Sequence, residues 1–506
     1  LNSSWSFQHL TPAYEMVSML SYAVCRIIVC VVSLFASADG SPILTTRQGS
    51  PQDISLGSFA LQKVLKDAAP IFGDYKTIQT NTSNWMKSYP DATKLVHMNI
   101  PGTHDTATWN YSTATQNALM GITNLGGQTP APAEYYRCQS RSIVDMLNAG
   151  IRAFDLRFAL DVTNTSLVFW HSQALQSQIA TMEDVLFGYY QWLDEHPSEV
   201  IFLSFQYEGS TTAYGSNDAE AQLRVFNALT SVPAKQYFFQ GQNELGSLGD
   251  ARGKIILLRR FDLDRLPESY SSTLPGLHFS PSLWTDNSPE ISILYNVEQK
   301  STAYIEDYYE PQTPVGSNAT LNIEWKYNAT TAHLLKATTQ YPDSLFWTFA
   351  SSEHNLNLPA VTPRIMATGN GTEYTPSGGV NQRLVPFLQR LKGKRVGIVM
   401  FDFFRDTRAI GADTVGPLTK KCSRLVVLIF LSFLSISRLD LAFFTLSHMF
   451  KLASVVAGVF PHFLWLLRTF SRWIEQITSN RNELPTLKTG SASILSSAIV
   501  MKNEDV

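Results

Sequence analysis

Val200-Ile201-Phe202-Leu203-Ser204-Phe205 is apolar at all but one position, and Ile398-Val399-Met400-Phe401 repeats the pattern near the other end of the same region. A strand with one wet face alternates apolar and polar residues. A near-continuous apolar run is a strand buried on both faces, as in a parallel sheet covered by helices. Around these two, strand text recurs at 94–100, 151–160, Leu167–His171, Val200–Tyr207, 254–261, 344–350 and 396–403. Helical text lies between: 140–148, 181–196, 217–229 and 381–391, the second opening on Thr181-x-x-Asp184 and stopping at Pro197. Sustained strand–helix alternation predicts a TIM-type (β/α) barrel rather than an open two-sided sheet. No GxGxxG follows the first strand and no GxxxxGK[ST] occurs, which removes the usual dinucleotide and P-loop readings.

Composition bounds the rest. In 506 residues, 44% are hydrophobic, enough for a large core and too many for a disordered chain. A net charge of −3 argues against nucleic acid as a partner. Four cysteines without a CxxC or Cys/His cluster suggest neither a disulfide scaffold nor structural zinc.

Both ends depart from the barrel text. The chain opens on Leu1, and from Met19 a weakly basic start leads into the apolar run 27–35 and the small-residue triplet Ala36-Ser37-Ala38. This reads as a secretory signal covering 1–38 with cleavage near Ala38, leaving Cys138 and Cys422 able to form at most one bridge. N-x-[ST] triplets at Asn81, Asn110, Asn164, Asn318, Asn328 and Asn370 agree with export. Residues 39–89 read as an N-terminal extension and 90–420 as the barrel. The 421–506 tail carries apolar runs at 425–437 and 452–467, the first shorter than the ~20 residues of a spanning helix. We read it as apolar helices associated with a membrane; packed helices of the main domain and a misread gene boundary are the alternatives. The expected location is secreted or extracellular and membrane-associated.

Barrel chemistry sits at the C-terminal ends of strands. Those ends carry Pro101-Gly102-Thr103-His104-Asp105, Phe154-Asp155-Leu156-Arg157, His171, Glu208, Arg259-Arg260 and Asp402. Only 16% of the chain is charged, against the usual ~25%, so this concentration is informative. Asp402 among aromatics and Arg157 in an apolar strand each need a partner: either they pair with each other, or each serves a site. Two histidines, carboxylates and arginines at one mouth suit phosphodiester cleavage. One histidine deprotonates the attacking hydroxyl and the other protonates the leaving oxygen. Arginine stabilises the negative transition state, and a carboxylate orients the base.

The set 101–105, 154–157, His171 and Phe401-Asp402-Phe403-Phe404 resembles the bacterial-type phosphatidylinositol-specific phospholipase C X-domain family of PLC-like phosphodiesterases. Segments 249–254 and 305–309 join the resemblance, which covers roughly 90–410, and the signal and sequons look like a secreted fungal member. It implies His104 as general base on the inositol 2-hydroxyl, oriented by Asp402, and His171 as general acid assisted by Asp105. Arg157 would hold the phosphate; Glu208, Arg260, Asp307 and Tyr309 would bind the inositol ring. The products would be diacylglycerol and inositol 1,2-cyclic phosphate. Calcium-dependent relatives place carboxylates or an asparagine where Arg157 stands, so the resemblance implies no metal and no cofactor. The expected partners are a phosphoinositide lipid and a membrane surface, with no nucleic acid and no obligate protein partner. In the bacterial enzymes a lysine stands where this chain has Gln206, which opens the headgroup specificity to other phosphodiester lipids. Two other readings are a glycerophosphodiester phosphodiesterase, disfavoured by the absence of its His-Arg-Gly opening, and a non-catalytic lipid- or wall-binding barrel. Trp85 and Trp109 read equally as membrane-rim aromatics or as ordinary packing.

Overall fold

The computed structural model describes residues 55–126, 129–209, 216–369, 375 and 378–405. The signal region, Asn370, Cys422 and the 421–506 tail lie outside the described residues.

The strands are β1 (Ile100–Thr103), β2 (Ala153–Leu160), β3 (Leu167–His171), β4 (Ala174–Leu175), β5 (Val200–Tyr207), β6 (Lys254–Arg260), β7 (Leu277–His278), β8 (Ile291–Asn296), β9 (Ser301–Glu306), β10 (Leu345–Phe349) and β11 (Ile398–Phe401). They form one sheet in the order β7-β6-β5-β2-β1-β11-β10-β9-β8, with β3 and β4 attached beside β2. Neighbours from β7 round to β9 pair in parallel, and β8 alone on this path runs antiparallel, against β9. The result is a nearly closed α/β barrel of the TIM type. Its seam lies between β7 and β8, the two ends of the sheet. Side chains bridge the seam: Asn296 Nδ2 donates to the Asn243 carbonyl at 3.0 Å, and the Phe279 ring lies 5.9 Å from Tyr295 and 5.8 Å from Trp347.

Helices cover the outside for readable reasons. Met182–Glu195 begins at a Thr181/Asp184 capping box and packs against the helix Leu56–Phe72. Gly188 permits this approach, since a Cβ there would lie 2.7 Å from the Phe72 ring. Ala68, Ile71, Phe72, Trp85 and Met86 join the main core, so residues 55–89 pack on the barrel. Trp85 donates to the Gly150 carbonyl and Trp109 to the Ile71 carbonyl; both aromatics serve packing.

Three expectations change. The expected strand at 94–100 is a short 3-10 turn at Leu95–His97, and β1 begins only at Ile100. The apolar run Leu167–His171 is a strand, but it folds back antiparallel on β2 and stands outside the barrel wall. The region between β6 and β10, where no strand was expected, supplies β7, β8 and β9 and the helix Ala319–Thr339. Among the described residues, no helix is long and apolar enough to cross a membrane.

Candidate active site

Strand geometry places the charged groups. Residues two apart share a face of a strand, so Asp155 and Arg157 of β2 point inward while Phe154 packs against Tyr189 of the covering helix. Register then aligns the neighbours: Asp155 lies beside Ser204, Arg157 beside Gln206, and Gln206 beside Arg260. Thr103 pairs with both Phe401 and Phe154, which sets His104 and Asp402 just beyond adjacent strand ends. Gly102 is required there, because a Cβ would lie 2.4 Å from Met400 Sδ and 2.9 Å from Ala153 Cβ. Gln139 ties the two ends together, its Nε2 donating to the carbonyls of His104 (2.8 Å) and Phe401 (2.7 Å). Asp105, Ser172 and Phe403, each next to a site residue, adopt left-handed backbone at φ 42°, 51° and 44°. Such strain clusters where surrounding structure overdetermines a site.

These elements enclose a cleft of about 450 Å³ lined by His104, Arg157, His171, Glu208, Arg260, Asp307, Tyr309 and Asp402. Asp105 is wholly buried behind His171. The nine residues given a role in the sequence therefore meet at one mouth, whereas Arg259 does not line the cleft and donates instead to the Ser271 carbonyl at 3.2 Å. Arg157 and Asp402 do not pair with each other; His104 stands between them. Its Nδ1 lies 2.9 Å from Asp402 Oδ1, and Arg157 Nη2 donates to its Nε2 at 2.8 Å. Those partners assign the proton to Nδ1 and the lone pair to Nε2, facing the cleft. Burial and the Arg157 charge hold the His104 pKa well below the ordinary histidine value, so the ring is neutral and its lone pair is free to accept a proton. Burial pushes the Asp402 carboxyl up.

The second pair has the opposite electrostatics. His171 Nδ1 lies 2.9 Å from Asp105 Oδ2 and 2.7 Å from the Tyr136 carbonyl. Both partners accept, so Nδ1 carries the proton here too. Burial disfavours the charged ring, but the Asp105 carboxylate outweighs it and raises the His171 pKa. Two imidazoles in one cleft are thus driven apart, one toward base and one toward acid.

Arg157 Nε lies 3.6 Å from Asp155 Oδ2 and 3.8 Å from Asp105 Oδ2, and Nη1 lies 3.8 Å from Glu208 Oε1. These carboxylates keep it charged and raise its pKa against the cost of burial. Glu208 also accepts from the Ser172 N–H at 2.6 Å, which fastens the turn after His171. Arg260 lies 3.4 Å from Asp307 Oδ2 and stacks 3.8 Å over the Trp284 ring. Trp284 Nε1 donates to the same Asp307 oxygen at 2.8 Å, and the Tyr309 hydroxyl donates to Asp286 Oδ1 at 3.0 Å.

Several cleft residues escape sequence reasoning. Trp284 and Asp286 follow β7, a strand of two residues with no periodic signal. Glu353 and Asn355 follow β10 on a loop; burial pushes the Glu353 carboxyl up to about 7. Cys138 lies between the histidine pairs with nothing in its neighbourhood of sequence to mark it. Asp155 was legible, two residues before Arg157, but only the register reveals that it braces that arginine.

No family model matches the chain. The chain is 28% identical over 182 residues to a 1-phosphatidylinositol phosphodiesterase of Listeria monocytogenes, covering 35% of this chain and 48% of the relative. It thus spans about half the length of that relative. A 1-phosphatidylinositol phosphodiesterase of Staphylococcus aureus is 21% identical over 244 residues, covering 48% of this chain and 70% of the relative. The mouse PI-PLC X domain-containing protein 1 is 31% identical over 128 residues, or 23% of this chain and 36% of that protein. Among solved structures, a double mutant of the phosphatidylinositol-specific phospholipase C from Staphylococcus aureus superposes with a TM-score of 0.50 at 17% identity. The match covers 70% of this chain and 97% of that one, and it shows the shared fold. With its two histidine–carboxylate pairs at the mouth of such a barrel, this chain is a homologue of the 1-phosphatidylinositol phosphodiesterases and PI-PLC X domain-containing proteins.

Proposed function

We propose that the protein is a phospholipase-C-type phosphodiesterase that cleaves phosphatidylinositol, or a related phosphoinositide, to diacylglycerol and inositol 1,2-cyclic phosphate at a membrane surface. The observation that carries this reading is the pair of oppositely tuned histidines in one cleft with Arg157 beside the first. His104 Nε2 takes the proton of the inositol 2-hydroxyl as that oxygen attacks phosphorus. The imidazolium that forms is stabilised by Asp402. The phosphorus–oxygen bond to diacylglycerol breaks, and the leaving oxygen takes a proton from His171 Nε2, backed by Asp105. Arg157 leaves the His104 lone pair to the hydroxyl and follows the phosphate, whose charge grows in the transition state. Water is not consumed in forming the cyclic product.

Arg260, Asp307, Tyr309 and Glu208 face the headgroup, with Trp284 as a wall behind Arg260. Gln206 occupies the inward row between Arg157 and Arg260, a neutral amide where the bacterial enzymes carry a lysine. The guanidinium of Arg157 supplies the positive charge that a calcium ion would otherwise bring, so the reaction needs no metal. Export through the signal region and glycosylation at the sequons belong to the same reading; Asn81, Asn110, Asn164, Asn318 and Asn328 are exposed.

Phosphorus NMR of the protein with phosphatidylinositol vesicles tests this. A cyclic inositol phosphate resonance should grow in EDTA and be indifferent to added calcium. Activity that appears only with calcium would refute the role given to Arg157.

The pH profile is a second test. His104 faces Asp402 and Arg157; His171 faces Asp105, with Glu208 and Glu353 nearby. The working state needs His104 neutral and His171 protonated. With the first pKa lowered and the second raised, kcat/KM should form a plateau, falling on the acid side as His104 protonates and on the alkaline side as His171 deprotonates. Asp105→Asn removes a charge that raises His171 through direct contact and His104 through space alone, so both limbs should move to lower pH, the alkaline limb farther. An alkaline limb that does not move would unseat His171 as the acid.

A further inference from the structure

Cys138 occupies the floor of the cleft between the two histidine–carboxylate pairs, and the proposed chemistry does not use it. Its Sγ lies within 4.8 Å of ligand atoms of His104 and Asp402, and within 4.8 Å of those of Asp105 and His171. Among the described residues the thiol joins no disulfide; it is fully buried yet lines the cleft, with its S–H directed to the Tyr136 carbonyl at 3.7 Å. A second observation points to a ligand. Asp105 Oδ1 is buried without a hydrogen-bond partner among the described residues, and an unsatisfied buried carboxylate oxygen is costly. Charge does not stand against a cation: in the cleft and just behind it the carboxylates Asp105, Asp155, Glu208 and Asp307 face the guanidiniums of Arg157 and Arg260 and the His171 ring.

We propose that Cys138, Asp105 and His171 form a site for a thiophilic divalent cation of the zinc type, and that its occupation silences the enzyme. Thiolate, imidazole and carboxylate are the donors zinc takes, three from protein with a fourth position open to water. Binding releases the thiol proton to solvent, since the thiolate is the ligand. His171, bound through one nitrogen, is then a neutral imidazole whose remaining N–H is a far weaker acid than the imidazolium. The Asp105 charge that favours the imidazolium is taken by the metal, so the leaving oxygen is not protonated. Calcium finds no seat here, because it requires six to eight oxygen ligands and the cluster offers one carboxylate. The same floor is therefore indifferent to hard cations and sensitive to soft ones. The silencing rests on the proposed phosphodiesterase activity; the metal binding does not.

Cobalt(II) titration of the full chain reads the binding directly. One equivalent should produce a thiolate-to-cobalt charge-transfer band that zinc displaces, and Cys138→Ser should abolish it. In parallel, micromolar zinc should suppress phosphatidylinositol cleavage, with EDTA restoring it. Cys138→Ser should keep the basal rate and raise the zinc concentration for half-inhibition at least about tenfold, the scale of loss when metal-site partners are removed. A wild-type protein without the band, or a serine variant that keeps the band or the zinc sensitivity, overturns the proposal. A band in a protein inactive on every phosphoinositide sustains the metal site and refutes the activity instead.

Discussion

His104→Ala should lower kcat on phosphatidylinositol by roughly 10²- to 10⁴-fold, the usual worth of a general base, while binding to the same vesicles is retained. The alanine removes the lone pair that faces the cleft and leaves the remaining cleft residues in place. It also strips Asp402 of the Nδ1–H at 2.9 Å, and that carboxyl, already pushed up by burial, will take up a proton. Its neutral form costs little in the interior, so the fold should survive the substitution. Single-turnover kinetics with a vesicle co-sedimentation assay separate the two effects. A variant that loses binding in step with rate would make His104 a headgroup contact, and a variant at wild-type rate would remove it from the chemistry. A non-catalytic binding barrel predicts no rate to lose.

The largest stability effect lies at the other end of the barrel. Glu199→Ala should destabilise the fold by about 3–5 kcal/mol, as expected when one partner of a buried ion pair is removed. Arg152 and Glu199 are both fully buried, joined from Nη2 to Oε2 at 2.7 Å and from Nε to Oε2 at 3.0 Å. The guanidinium also donates to the carbonyls of Leu147, Ile151 and Ser83, and lies 4.7 Å over Trp192. Glu199 accepts from the Met86 N–H, which fastens residues 55–89 to the barrel. Alanine would leave a cation in a dry interior with carbonyl partners alone. Urea denaturation should show the lowered midpoint, with activity per folded molecule unchanged because the cleft is at the opposite strand ends. A loss under about 1 kcal/mol would place this pair with solvent-screened bridges.

These two sites also mark how far the sequence could be read. Apolar strands buried on both faces announce themselves by composition, so the barrel and the strands Val200–Tyr207 and 396–403 were legible without coordinates. Histidines and charges at strand ends were legible too, because a charge-poor chain concentrates them there. The four residues that carry the proposed proton transfers and their orienters, His104, Asp402, His171 and Asp105, lie in or beside recognisable motifs. Arg152, five residues before Arg157, has the same residue type in the same apolar strand text, yet it braces the far end of the barrel.

What residue type and periodicity determine is therefore the kind of layer and the chemical vocabulary of its open end. They do so because burial on two faces and the cost of isolated charge act locally on each strand. Which residues meet was decided by register and by chain reversal, which are properties of pairs of strands. The 3-10 turn in place of the expected strand at 94–100, the antiparallel fold-back of β3 that delivers His171, and the two-residue β7 that positions Trp284 leave no periodic trace. The same holds for the floor of the cleft: only the tertiary fold sets Cys138 between two histidine–carboxylate pairs, because its neighbours come from separate segments of the chain, Asp402 the most distant, and packing rather than the text of any one segment brings them together.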